Sequence, residues 1–193
     1  SVTYVGPREP PLELAATHNF EFRPEHLIIG GNAHRDCLGD MLGAAYRRMI
    51  IHSTFLDAGR FEVLLPSIRE ACERGVRFDL LWGDNDEDDT PTRSGIEAVA
   101  IADRIHNDPD LRGSVRFHMG STGSHAKILL LDTEHDGWRA VVGSCNWFSS
   151  PFNAVEVSAV LRDQHLVGDV CRVVQRMAAR RGVADDLAHE LAI

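Results

Sequence analysis

Short apolar runs alternate with segments of helical spacing along this chain, and no other sequence feature limits its fold as strongly. Three apolar runs, over residues 27–31, 49–56 and 76–82, have the length and composition that are typical of strands. Between them, apolar residues recur every three or four positions, which indicates amphipathic helices. Strands and helices in this order predict an α/β fold with a mixed, largely parallel central sheet flanked by helices on both faces.

The second half of the chain continues this pattern and adds a hairpin. Two apolar runs are separated by a polar turn at residues 133–137, which predicts an antiparallel pair of strands. The further elements that we predict are a helix over 94–107, strands over 115–118, 125–131, 138–142 and 154–161, and a helix over 164–181.

One domain accounts for most of the 193 residues. We expect an extended, proline-rich lead-in over residues 1–25, a folded domain over 26–181 and a C-terminal tail over 182–193. No apolar run approaches the roughly 20 residues that span a bilayer, and no secretory signal opens the chain, so we expect no membrane insertion. The cysteines are scattered without a C-x-x-C pair, which favours a reduced, cytoplasmic protein. They are Cys37, Cys72, Cys145 and Cys171.

The formal net charge of the chain is −9. Because nucleic-acid backbones attract basic surfaces, this charge opposes a nucleic-acid partner unless a local basic cleft compensates for it. The densest acidic run, residues 84–89, resembles a calcium loop. However, the EF-hand pattern needs a glycine at its sixth position and a glutamate at its twelfth, where this chain has Asp89 and Gly95. We therefore interpret the run as a solvated acidic loop and expect no metal.

The most informative stretch for function runs from Gly123 to Asp132. It places His125 and Lys127 two residues apart at the mouth of an apolar run. Residues i and i+2 of a strand share a face, so both side chains are expected to point the same way, whereas Asp132 has the opposite parity. A nucleophile or base beside a fixed cation, at the edge of a core, suits the handling of phosphate.

The order and spacing of the polar residues in the second half resemble the signature of the phospholipase D superfamily, known as the HKD motif. The matching pattern is His125-x-Lys127-x-x-x-x-Asp132, then Gly143-Ser144-x-Asn146, then Glu156. The resemblance extends over about residues 26–180 and implies a phospholipase D-like catalytic domain. The gap between the aspartate and the glycine is longer than in the tightest family members, which an extended hairpin turn would explain.

The resemblance implies cleavage of a phosphodiester bond without a metal or another cofactor. His125 would attack phosphorus and form a covalent phosphohistidine. Glu156 would bond the far nitrogen of His125 and fix its tautomer. The residues that would hold the phosphate oxygens are Lys127, Ser144 and Asn146. The residues that would support the motif structurally are Asp132 and Gly143.

This mechanism needs a second histidine, yet the chain holds a single motif. Either two copies of the chain form a homodimer that completes the site, or a partner domain supplies the second motif; the homodimer is the favoured interpretation. The leading function is a nuclease that cleaves DNA or RNA. The alternatives are a phospholipase or phosphatidyltransferase acting on lipids, and a non-catalytic nucleic-acid-binding module of a larger protein.

Several other residues have two interpretations each. His34 could reach a phosphate from the start of a helix, but a polar residue near a helix N-terminus is the simpler interpretation. The strand of His52 could end near the site, but a buried, hydrogen-bonded histidine is the simpler interpretation. Cys145 could be a thiol nucleophile and Trp147 could stack on a base or contact a lipid, but core packing is the simpler interpretation for both. The arginines considered for contacts with a nucleic-acid backbone are Arg35, Arg47, Arg48, Arg60 and Arg93.

Overall fold

The computed structural model describes residues 23–84 and 92–179. The strands are β1 (Leu27–Ile29), β2 (Arg48–Ser53), β3 (Arg77–Trp82), β4 (Val115–Phe117), β5 (Lys127–Thr133), β6 (Gly137–Gly143) and β7 (Val157–Leu161). The helices are α1 (Gly31–Ala44), α2 (Ala58–Glu73), α3 (Arg93–His106) and α4 (Gln164–Ala179), and a short 3₁₀ turn, Pro24–His26, precedes β1. Most of the lead-in, the acidic run after Asp84 and the whole C-terminal tail lie outside the described residues.

All seven strands form one mixed sheet in the order β1-β7-β6-β5-β2-β3-β4. The strands β2, β3 and β4 are parallel, because α2 and α3 connect them as crossovers. The other four of the six strand pairs are antiparallel. The mixed α/β class is therefore confirmed, but the prediction of a largely parallel sheet is wrong. Only three residues connect β5 to β6, too few for a crossover, and β1 pairs with β7 instead of β2.

Helices cover both faces of the sheet, as predicted. The helices α1, α2 and α3 pack on one face, where Met49, Ile51 and Leu129 are buried with them. The helix α4 packs on the other face, over Ile50 and Leu130. Because successive residues of a strand point to opposite faces, the continuous apolar run of β2 supplies both layers of the core.

The ends of the helices follow from the residues that surround them. Asp57 caps α2 by accepting a hydrogen bond from the backbone N–H of Arg60, and Thr92 caps α3 through Gly95 in the same way. Gly75 follows α2 with a φ of 92°, a backbone conformation that glycine adopts without a steric penalty. The two caps determine where α2 and α3 begin, and Gly75 determines where α2 ends before β3. None of the helices in residues 23–84 and 92–179 is long and apolar enough to cross a membrane.

Candidate active site

The predicted site lies where β2 ends and β5 begins, and a loop over residues 121–126 leads into it. Thr122 holds the base of this loop, because its backbone N–H donates to the carbonyl of Trp82 at the end of β3. Within the loop, the backbone N–H of Ser124 donates to the hydroxyl of Thr122, and that of Ala126 donates to the hydroxyl of Ser124. The motif residues that follow are therefore carried on an ordered turn.

The buried imidazole of His52 fixes the last part of this loop. Its Nδ1 lies 2.6 Å from the carbonyl oxygen of Ala126, and its Nε2 lies 2.8 Å from the hydroxyl of Thr122. A carbonyl oxygen accepts and never donates, so Nδ1 carries the proton. Burial is the main cause that lowers the pKa of His52 to about 4, and the positive charge of Lys127 acts in the same direction. His52 is therefore a neutral structural group at physiological pH.

His125 is exposed at the mouth of the site, two residues before β5 begins. Its ring meets the ring of Phe55 edge-on, with 6.2 Å between the ring centroids. Phe55 follows β2, so the contact links the nucleophile candidate to the carboxyl end of the central strand. An exposed imidazole with one side held by an aromatic ring is accessible to a phosphorus centre.

Lys127 is the only lysine in the chain. Its ammonium group donates to the backbone carbonyl of His125 at 2.6 Å, which places the cation directly beside the histidine. Partial burial is the main cause that lowers the pKa of Lys127, and the carboxylate of Glu156 acts in the opposite direction. The sequence already contained a signal for this residue, because a solitary lysine within a motif is conspicuous in a chain with many arginines.

Ser144 and Glu156 form a short hydrogen bond between hydroxyl and carboxylate. The hydroxyl of Ser144 also accepts from the backbone N–H of Val157 at 3.0 Å, which ties the loop after β6 to the start of β7. The bond that we predicted between Glu156 and His125 is not formed within residues 23–84 and 92–179. Glu156 instead acts on Ser144 by contact and on Lys127 through its charge.

Asn146 anchors a third part of the site. Its side-chain oxygen accepts from the backbone N–H groups of Thr54 and Phe55, at 3.2 and 3.4 Å. These two donors occupy the amide oxygen, so the –NH₂ group is the part of Asn146 that remains to bind the oxygen of a ligand. The asparagine thus joins the end of β2 to the loop after β6.

The two residues expected to support the motif contact neighbouring strands and the segments that enter them. Asp132 is buried near the far end of β5, where its carboxylate accepts from the backbone N–H groups of Arg47 and Arg48 at 2.9 and 2.7 Å. Gly143 lies opposite Lys127 in the β5–β6 pair, and a Cβ atom there would overlap with Val157 and Ser158. Both residues therefore contact the framework of the sheet.

The other candidates from the sequence are buried. His34 lies between the carbonyl of Gly30 and the hydroxyl of Ser158, at 2.8 Å from each, and has no exposed surface with which to reach a phosphate. Cys145 is also inaccessible, and burial raises the pKa of its thiol to about 12, which excludes a thiolate nucleophile. Trp147 is buried in the core, as expected.

The structure thus brings five predicted site residues together where β2 and β6 end and where β5 and β7 begin. They are His125, Lys127, Ser144, Asn146 and Glu156. Sequence reasoning missed the role of Phe55 and underrated that of His52. The position of His52 near the end of the apolar run of β2 was the signal for its role, because the ends of neighbouring strands lie close together in a sheet. No group of three or more His, Cys, Asp and Glu side chains that could hold a metal ion occurs among the described residues.

Solved structures with the same arrangement of strands and helices include three bacterial proteins. NucT from Helicobacter pylori is 16% identical with a TM-score of 0.52, over 78% of this chain and 92% of that one. Nuc from Salmonella typhimurium, a phospholipase D family member, is 13% identical with a TM-score of 0.50, over 81% and 94%. The chain has a phospholipase D-like fold. Phosphatidylserine synthase from Haemophilus influenzae is 14% identical with a TM-score of 0.52, over 79% of this chain and 38% of its own.

No family model matches the chain, and neither does any curated protein sequence. The phospholipase D-like fold is therefore recognised through its three-dimensional arrangement. Within that fold, the site around His125 and Lys127 combines an exposed imidazole, an ammonium group and an amide –NH₂ group. Such a set can bind an anion and attack it.

Proposed function

We propose that this protein is a phosphodiesterase, and most specifically a nuclease, that uses His125 as its nucleophile. The observation that carries the proposal is the position of His125 on a loop fixed by a buried, neutral histidine, with the ammonium group of Lys127 on its own backbone carbonyl. A fixed nucleophile beside a fixed cation lowers the entropic and electrostatic cost of reaching the charged transition state.

The reaction has two steps. An imidazole nitrogen of His125 attacks phosphorus, so that an N–P bond forms while the P–O bond to the leaving group breaks. A second imidazole gives its proton to the leaving oxygen. It then takes a proton from water, whose oxygen displaces His125 from phosphorus. Lys127 and the –NH₂ group of Asn146 bind the non-bridging oxygens, and Glu156 orients Ser144 toward the same centre.

A second copy of the chain is the proposed source of the second imidazole. Ile29 on β1 and Val157 on β7 lie opposite each other in register and are 62% and 47% exposed. Val155, next to Glu156, is 88% exposed, so apolar side chains flank the site on both sides of this carboxylate. An isologous dimer that buries this edge brings two motifs together.

The substrate that we favour is a nucleic acid, because the printed sequence carries a single His-x-Lys motif on this fold. The runner-up is a lipid phosphodiester, and the specific observation in its favour is that phosphatidylserine synthase shares the fold over 79% of this chain. A non-catalytic nucleic-acid-binding module is a third alternative, which the exposed and intact His125–Lys127 pair argues against.

One assay separates these alternatives. The full chain is incubated in excess EDTA with single-stranded DNA, duplex DNA, RNA and phosphatidylcholine vesicles in parallel. We expect cleavage of at least one nucleic acid, no release of choline, and complete loss of cleavage in His125→Ala. The control is His135→Ala, which removes an exposed histidine on the β5–β6 turn. Cleavage by His125→Ala, or hydrolysis of the lipid alone, would contradict the nuclease proposal.

The dimer is tested by placing a charged side chain on the exposed apolar surface of Ile29, Val155 and Val157. Ile29→Glu should convert a dimer into monomers in light scattering and abolish cleavage at the same protein concentration. Val63→Glu is the matched control, because Val63 is 70% exposed on α2, away from β1 and β7. A wild-type protein that cleaves as a monomer would refute the shared site.

A further inference from the structure

An open pocket of about 800 Å³ lies at the end of the sheet opposite to His125. It spans the first residues of β2, β3 and β4, whereas the motif lies beyond the last residue of β2. Since β2 has six residues, the two sites are separated by about 17 Å along that strand. The charged residues that line the pocket are Arg47, Arg48, Arg77, Arg112, Arg116 and Asp79.

The register of the strands explains how these arginines come together. Arg48 lies opposite Arg77 in the β2–β3 pair, and Asp79 lies opposite Arg116 in the β3–β4 pair. Arg77 and Asp79 are two residues apart, so they share the face on which Leu81 is buried against α4. The apolar part of this face lies under α4, and the charged part lies at the other end of the same strands.

Two of the guanidinium groups are held in place by one buried carboxylate. Asp79 is 2% exposed and bonds Arg48 at 2.7 Å and Arg116 at 3.3 Å. Burial opposes ionisation, but the hydrogen bonds from His118 and Arg48 prevail and lower the pKa of Asp79. The carboxylate therefore stays charged, and it positions the two arginines before any ligand arrives.

The remaining arginines carry the positive charge that the pocket offers to a ligand. Arg77 and Arg112 are exposed and form no ion pair within residues 23–84 and 92–179. The side chain of Arg47 is 79% exposed, pairs with Asp132 at 3.2 Å and lies over the ring of Tyr46. Among the described residues, five guanidinium groups and a single carboxylate line the pocket, which is therefore basic in a chain whose net charge is −9. The local basic cleft that an acidic nucleic-acid enzyme needs is therefore present.

We infer that this pocket is a second anion site, which binds phosphate groups through Arg77 and Arg112 with Arg48 and Arg116 as fixed neighbours. Guanidinium groups suit this ligand because they present paired N–H donors that match the oxygens of a phosphate. The volume of the pocket is large enough for a nucleotide unit. The phosphates come either from a nucleic-acid strand or from a free nucleotide. The inference does not depend on turnover at His125.

The test uses the full chain in a His125→Ala, Lys127→Met background, so that the motif neither cleaves the ligand nor offers its cation. Binding of pyrophosphate, a nucleoside triphosphate and a single-stranded oligonucleotide is measured by calorimetry between 50 and 200 mM salt. Arg77→Gln/Arg112→Gln should weaken binding of the preferred probe at least about tenfold and lower the salt slope for the oligonucleotide by about 1.4. Arg77→Lys/Arg112→Lys, which keeps the charge, should retain part of the affinity.

The matched control is Arg172→Gln/Arg176→Gln, which removes two exposed arginines from α4 outside the pocket. Preference for the oligonucleotide identifies a strand as the source of the phosphates, and preference for the triphosphate identifies a free nucleotide. Equal affinity of the pocket variant and its parent, or binding of none of the probes by the parent, overturns the inference. Cleavage of a small chromogenic phosphodiester by the otherwise wild-type Arg77→Gln/Arg112→Gln variant should be unchanged, which separates this test from that of the nuclease.

Discussion

His52 donates its Nδ1–H to the carbonyl of Ala126 over 2.6 Å, and Ala126 is the residue between His125 and Lys127. The central strand of the sheet is thereby joined directly to the peptide that carries the motif. Replacing His52 with leucine removes this bond and the contact with the Thr122 hydroxyl, so the carbonyl of Ala126 loses the donor that holds it. If His125 is the nucleophile, as proposed, a displacement of its ring by about 1 Å costs on the order of 100-fold in rate, so we expect a loss of kcat of about that size.

A positioning role for His52 can be told from general destabilisation by comparing kcat and KM in two variants. His52→Asn keeps an N–H donor and should recover part of kcat, whereas KM for the substrate should change little in both variants. His135→Leu serves as the control. Equal rates for wild type and His52→Leu would show that the loop holds its geometry without the imidazole.

The same histidine should make the fold sensitive to acid. The pKa of His52 is about 4 in the folded protein and about 6.5 in an unfolded chain, so the unfolded state binds the extra proton between these values. Stability is therefore lost as the pH falls from 6.5 to 4, by about 3 kcal/mol in total. Urea unfolding at pH 7 and pH 4.5 should show this loss in the wild type, and His52→Leu should lack that component.

Gly83 marks a close approach of two backbones. A Cβ atom at this position would overlap with the backbone of Ser124 in the motif loop. Gly83→Ala must therefore displace the loop, and we expect cleavage to fall by about tenfold or more while the circular dichroism spectrum is preserved. Gly113→Ala is the control, because a Cβ atom at Gly113 meets nothing within 4 Å. Full activity of Gly83→Ala would mean that the loop position does not matter for catalysis.

The charge of Glu156 should have a measurable effect on the pKa of Lys127, the single lysine of the chain. Reductive methylation with ¹³C labels Lys127 and the chain's amino terminus, which titrate in different pH ranges in NMR spectra. Because the carboxylate of Glu156 favours the charged ammonium, Glu156→Gln should lower the pKa of Lys127 further. Glu134→Gln, on the exposed turn after β5, should leave that pKa unchanged. A rise in the pKa of Lys127 in Glu156→Gln would contradict the arrangement.

Asp132 should contribute to stability and not to chemistry. Asp132→Ala leaves the backbone N–H groups of Arg47 and Arg48 without their acceptor, which should lower the free energy of unfolding by about 2–3 kcal/mol. Asp132→Asn keeps an acceptor oxygen and should cost less. Denaturant titration measures both effects. A loss of kcat in folded Asp132→Asn would place the carboxylate in the reaction after all.

Much of the fold could be predicted from local patterns, because each pattern reflects forces within a few residues. The apolar runs of β2, β3 and β5, the glycine after α2 and the polar turn before β6 all lie where they were predicted. Strand direction was the exception. The sequence shows that a helix follows β1, but only the packed sheet decides that β1 pairs with β7. Sequence order alone does not specify which strands become neighbours.

Some features of the candidate site could likewise be predicted from the sequence, and others could not. The spacing of His125, Lys127 and Asn146 predicts which side chains would bear the chemistry, since spacing along strands and tight turns is a local property. Only the tertiary structure decided that Glu156 bonds Ser144, that His52 supports the loop, and that Arg77 and Arg112 meet in one pocket. These contacts join residues far apart in the chain, and they depend on strand register and burial, which are fixed when the sheet and its helices pack together.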